Sequence, residues 1–150
     1  MASRAAAVAA AALAVAVFAG PARAAAPSPG QVAYQFAVGQ AGKPFQWGAD
    51  GPAAFDCSGL VYAAYLHAGV VLPRDTYGMA GSRDLVRITR SQARQGDLVF
   101  FGPASAPDHV ALVDAGDVVF SAYRPGQPAG WSRTGRYWEP SAYYRVAVER

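Results

Sequence analysis

The hydrophobic period of this chain changes once, and that change constrains the fold more than any other feature. Up to His67 the apolar residues recur at helical spacing; from Asp97 onward they alternate or run together, as in strands. In the first part, Gln31 to Ala41 offers Val32, Ala33, Phe36 and Ala37, closed by Gly42 and Pro44. The best helix runs from Asp56 or Cys57 to His67. Leu60, Val61, Ala64, Tyr65 and Ala68 share its apolar face, Asp56 serves as N-cap and Gly69 as stop. A further short helix is expected over Thr76 to Ser82. Between them, Phe45 to Phe55 is rich in turn formers and reads as a loop anchored by Phe45, Trp47 and Phe55.

In the second part, Leu98 to Phe101, His109 to Val113, Asp117 to Ala122 and Tyr143 to Val148 read as strands. Asp114-Ala115-Gly116 has the form of a three-residue hairpin loop closing Val113 onto Asp117. That register sets His109 opposite Ser121, with both side chains on one face. Helices first and an antiparallel sheet second make an α+β domain.

Composition matters mainly at the N-terminus. Of the first 26 residues 21 are apolar and 15 are Ala, so the chain-wide figure of 53% hydrophobic overstates the core. Arg4, an Ala/Val/Leu run from Ala5 to Gly20, and the small-x-small triplet Ala22-Arg23-Ala24 have the form of a secretory signal peptide. The run is shorter than the ~20 residues a membrane span needs, so no stable span is expected. The expected organisation is therefore a signal peptide over 1–24, a linker over 25–30 and one domain over 31–150. Without Arg4 and Arg23, 11 basic residues face 10 acidic ones. That balance, with no basic stripe interleaved with aromatics, argues against nucleic acid as a partner.

Cys57 is the only cysteine, which excludes an internal disulfide and cysteine-based metal fingers. Neither a metal nor another cofactor is expected. A lone Cys is often a small buried hydrophobe, but this one opens the best helix. There the unpaired N–H groups and the helix dipole favour an anion, which is expected to lower the thiol pKa and make the thiolate available as a nucleophile. Two histidines compete as base. His67 lies ten residues along the same helix, about 15 Å away at 1.5 Å per residue, and is out of reach. His109, at a strand start after a Gly/Pro-rich loop, is the candidate. Ser121, opposite it in the expected register, is the candidate to orient the imidazole, although a hydroxyl carries no charge to stabilise imidazolium. Asp108 faces the other side of the strand, and Asp114 and Asp117 sit at the hairpin tip.

These residues occur within a longer pattern. Gly42-Lys-Pro-Phe-Gln-Trp-Gly48, Phe55-Asp-Cys-Ser-Gly-Leu-Val61, Leu72-Pro-Arg74, Gln95-Gly-Asp-Leu-Val-Phe-Phe-Gly102 and His109-Val110 follow in order. Together they resemble the NlpC family of papain-like bacterial cell-wall cysteine peptidases. The resemblance implies a papain-like α+β core with N-terminal helices packed on a C-terminal antiparallel sheet. It implies a secreted thiol protease acting in the cell wall or periplasmic space on peptidoglycan stem peptides, at the γ-D-glutamyl–diamino acid bond. By position Cys57 would be the nucleophile and His109 the base. Ser121 would fill a third polar position usually held by His, Asn or Gln. Asp56 and Ser58 would bind the stem peptide, and Arg74 would lie near the cleft. Two departures stand out: Phe45 replaces a usual Tyr, and Ser121 is a weaker imidazole partner. They leave room for a catalytically weak or silent wall-binding module. An amidase or acyl-transferase on the same scaffold would differ only in bond and acceptor.

Overall fold

The computed structural model describes residues 7–135 and 138–147, so residues 1–6 of the expected leader and the expected strand end at Val148 lie outside the described residues. Residues 7–28 form no helix or strand, and Leu13 and Phe18 within them are exposed. Among the described residues no helix is long and apolar enough to cross a membrane.

Three helices precede or flank the sheet: α1 (Pro29–Val38), α2 (Cys57–His67) and α3 (Thr76–Ala80). Helix α1 starts two residues earlier than the periodicity predicts, inside the expected linker. Ser28 and Gln31 form a capping box, with the Ser28 hydroxyl accepting from the Gln31 backbone N–H and the Gln31 side-chain Oε1 accepting from the Ser28 N–H. Pro29 fits the first helical position, where a missing N–H costs nothing. Helix α2 has the expected bounds and the expected cap: Asp56 Oδ1 accepts from the Gly59 N–H at 2.6 Å.

Six strands form one antiparallel sheet in the order β1-β6-β2-β3-β4-β5, with β1 Leu85–Ile88, β2 Leu98–Phe101, β3 His109–Ala115, β4 Val118–Ser121, β5 Gly130–Arg133 and β6 Pro140–Val146. The α+β expectation holds. Strands β1 and β5 were not expected; they are short edge strands, each carrying an Arg and little apolar alternation.

The central strands are buried on both faces. On one face, Leu60, Val61, Ala64 and Tyr65 of α2 and Ala33, Tyr34 and Ala37 of α1 join Leu98, Phe100, Val110, Leu112 and Phe120 in the main core. Each large side chain buried there contributes about 1.5–3 kcal/mol. On the other face, Val99, Phe101, Ala111, Val113, Val119 and Tyr143 form a second layer, with Ile88, Ala93 and Trp138 against it.

The hairpin register differs from the expected one. A bulge between Val113 and Ala115 lets Ala115 pair with Val118, and Gly116 turns the chain with φ +57°. Val113 then faces Val119 and Leu112 faces Phe120. Continued toward the site, this register sets Ser121 opposite Ala111 and not opposite His109. The residue in line with His109 is Tyr123, whose ring lies edge-on to the imidazole at 5.2 Å. The loop was misread because a bulge absorbs one residue that a regular three-residue turn would not.

Candidate active site

Helix α2 begins at Cys57, so the thiol sits at the end of the helix where four N–H groups have no partner within the helix. The helix start is fixed by its approach to the preceding loop. A Cβ on Gly59 would lie 2.0 Å from the Ala49 carbonyl oxygen, and only Gly allows this contact. Asp56 secures the same loop, its Oδ2 accepting from the Gly48 N–H at 2.8 Å.

Cys57 lines a cleft of ≈ 470 Å³ together with Trp47, Arg74, Thr76 and Asp108. A larger hollow of ≈ 610 Å³ between Gly69 and β1 holds no nucleophile. The sulfur lies 3.9 Å from the Thr76 hydroxyl. Burial pushes the Cys57 thiol up from its ordinary value, against the Val110 N–H and the Thr76 hydroxyl, which favour the thiolate; the Asp56 charge adds to the rise. The expectation of a lowered thiol pKa is therefore not met. Desolvation, the largest cause, and the neighbouring carboxylate favour the thiol over the thiolate.

The Val110 N–H lies near the sulfur, which places Cys57 beside β3, one residue from His109. His109 pairs with Phe101 of β2 at the strand's first position and is 5% exposed. Its imidazole is surrounded by the rings of Phe101, Tyr123 and Trp138. Burial pushes the His109 pKa down to about 4, so the imidazole is neutral across the neutral range. Its Nε2 is buried without a hydrogen-bond partner, and so is the Ser121 hydroxyl. Ser121 is thus not bonded to His109; it sits two positions off in register.

Asp56, Ser58 and Arg74 do converge. Arg74 donates to Asp56 Oδ1 at 3.1 Å, to Asp56 Oδ2 at 3.3 Å, to the Ser58 hydroxyl at 3.1 Å and to the Ala49 carbonyl at 3.1 Å. Ser58 in turn donates weakly to Asp56 Oδ1 at 3.4 Å. Asp50 flanks the guanidinium at 3.4 Å. Phe45 is half-buried and packs edge-on to Trp47 at 5.3 Å. His67 stacks on Phe36 at 4.8 Å, at the far end of α2 from the thiol. Among the described residues no group of three or more His, Cys, Asp or Glu could hold a metal ion.

The residues that sequence reasoning missed are Thr76, beside the sulfur, and Tyr123 and Trp138, beside the imidazole. A bulge-shifted register would have pointed to Tyr123. Trp138 enters from a distant segment, and no local signal announces it.

The arrangement offers a buried thiol at a helix start, a neutral imidazole at an adjoining strand start, and a cation–carboxylate–hydroxyl cluster on the cleft wall. Known proteins are similar to this chain in sequence and fold. The NlpC/P60 family model matches residues 42–143. Among curated relatives, murein DD-endopeptidase MepH of Escherichia coli is 38% identical over 115 residues, covering 73% of this chain and 42% of that protein. The crystal structure of the NlpC/p60 domain of peptidoglycan hydrolase SagA superposes with a TM-score of 0.69 at 27% identity, over 78% of this chain and 98% of that domain. A lipoprotein-like NLP/P60 family protein from Staphylococcus aureus gives a TM-score of 0.70 at 30% identity, over 81% of this chain and 42% of that one. The chain spans about two fifths of the length of MepH and 21% of a Listeria innocua relative.

Proposed function

We propose that this chain, which belongs to the NlpC/P60 family, is a peptidoglycan hydrolase of the cysteine peptidase class. The observation that carries the reading is the placement of the lone thiol at a helix start, against the strand that begins with His109. The MepH and SagA relationships support the substrate class. The finer proposal is cleavage of the γ-D-glutamyl–diamino acid bond by an exported enzyme. The Ala-rich leader supports export, and residues 7–28 contribute nothing to the folded core.

With burial favouring the neutral form of both groups, the reaction starts from thiol and imidazole. His109 takes the thiol proton as Cys57 Sγ attacks the amide carbonyl carbon, and the N–H groups at the start of α2 face the developing oxyanion. His109 then delivers the proton to the leaving nitrogen as the C–N bond breaks. Water, deprotonated by the same imidazole, cleaves the thioester and restores the thiol. Asp56 and Ser58, held by Arg74, would receive polar groups of the stem peptide on the cleft wall.

The test is mass spectrometry of purified muropeptides after incubation with the protein and with Cys57→Ala. Stem-peptide fragments from the parent alone are expected, and their masses identify the bond. Equal product from the folded Cys57→Ala protein would remove the assignment. The second reading, a wall-binding module without turnover, is favoured by the unpartnered His109 Nε2 and Ser121 hydroxyl. It predicts retention on isolated cell walls by both proteins and fragments from neither.

A further inference from the structure

The His109 side chain has an orientation to explain. Its Nε2 is buried and unpartnered, and the Ser121 hydroxyl on the same sheet face is buried and unpartnered as well. Neither polar group directs the other. What surrounds the imidazole is aromatic. Trp138 stacks on Phe101 with centroids 4.0 Å apart and planes 8° apart, and meets the imidazole at 5.1 Å and 44°. Tyr123 stands edge-on to the imidazole at 5.2 Å and 83°, and touches Trp138 at 4.8 Å. Phe101 closes the remaining side at 5.5 Å. Among the described residues Trp138 is the ring that touches both other rings and the imidazole.

We propose that this three-ring cage, keyed by Trp138, positions the His109 imidazole in place of a hydrogen-bonding third residue. The inference rests on the reading of His109 as the base. Tyr123 meets the imidazole edge-on and Phe101 and Trp138 meet it tilted, and ring contacts of this kind attract beyond area burial, so the three together can hold one rotamer. The rings also exclude water, which disfavours the imidazolium and keeps the base neutral. Among the described residues, Arg124 lies 5.3 Å from the Tyr123 ring, Glu139 adjoins Trp138 and is exposed, Tyr143 pairs with Val99 in the same layer as Phe101, Cys57 sits beside β3, and Asp108 lines the Cys57 cleft. Trp138 and Tyr123 are positioning residues, acting through His109 without touching the substrate.

The experiment combines NMR titration of labelled histidine, where only His67 and His109 contribute, with muropeptide kinetics on the full chain. The variants are Trp138→Leu, Trp138→Phe and Tyr123→Leu. In Trp138→Leu, the His109 midpoint is expected to rise by a unit or more toward its ordinary value of about 6.5. Its kcat is expected to fall roughly 10- to 100-fold with little change in KM, and the acid limb of kcat/KM to move up with the midpoint. Trp138→Phe keeps a ring and should recover most of both effects. Tyr123→Leu opens a different wall and should shift the midpoint in the same direction, so the test does not depend on one variant folding. A folded Trp138→Leu protein with parental kcat and an unmoved midpoint overturns the cage and leaves the hydrolase reading intact. A moved midpoint in a protein whose parent cleaves no muropeptide overturns the hydrolase reading and leaves the cage's hold on the imidazole intact.

Discussion

Arg74 reaches Asp56 at 3.1 Å, joining the loop ahead of α3 to the residue that caps the helix carrying the thiol. One carboxylate therefore has three tasks. It caps α2 through the Gly59 N–H, anchors the Gly48 loop and neutralises the guanidinium. A stem-peptide amine at Asp56 would share a carboxylate that is already engaged, and Arg74 is part of the cleft's architecture.

That coupling predicts that Arg74→Met destabilises the fold and does not simply raise KM. Asp56 would be left buried without its partner. With Arg74 one third exposed, the loss should be on the order of 2 kcal/mol, below the range for a fully buried pair. Urea denaturation of parent and variant measures it; identical midpoints would contradict the structural role.

The resting thiol should titrate high. Burial and the Asp56 charge raise its pKa, so alkylation of Cys57 by iodoacetamide should increase with pH to a midpoint above the free-cysteine value of about 8.5. Asp56→Asn should lower that midpoint if the protein stays folded. A midpoint near or below neutrality in the parent would mean that the helix start dominates after all.

His109 should make stability depend on acid. Its folded pKa of about 4 lies below the unfolded value of about 6.5, so the unfolded chain binds the proton more readily. Stability from the neutral imidazole is complete above pH 6.5 and is lost as pH falls from there toward 4, by on the order of 3 kcal/mol in total. Denaturation of parent and His109→Gln at pH 7 and pH 4.5 isolates this contribution from that of the carboxylates. The difference between the two proteins should shrink at the lower pH; a constant difference would rule the linkage out.

Ser121→Ala should be nearly silent. The hydroxyl is buried without a partner, so its removal breaks no bond and relieves an unsatisfied polar group. Both kcat and stability should stay within about threefold and about 1 kcal/mol of the parent. A loss of a hundredfold in kcat would show that the serine orients the imidazole during turnover.

The helix that presents Cys57 was legible because every determinant is local: an Asp cap, an apolar face at helical spacing and a Gly stop. The buried strand Leu98–Phe101 was legible for the same reason, as a short apolar run. The hairpin was half legible. Gly116 marked the turn, but the bulge that shifts the register depends on how β3 and β4 settle against their neighbours. The early start of α1 is encoded by the Ser28–Gln31 capping box, which apolar spacing alone does not register.

The sequence by itself determined the α+β class, the helix that opens at the lone thiol and the strand that opens at His109, because capping and periodicity act over a few residues. Only the tertiary structure decided what those two groups are. Burial keeps the thiol protonated and the imidazole neutral, Arg74 crosses to Asp56, and Trp138 closes on His109 from a segment 29 positions away. Desolvation and ring packing arise from residues distant in the chain, and no local pattern encodes them.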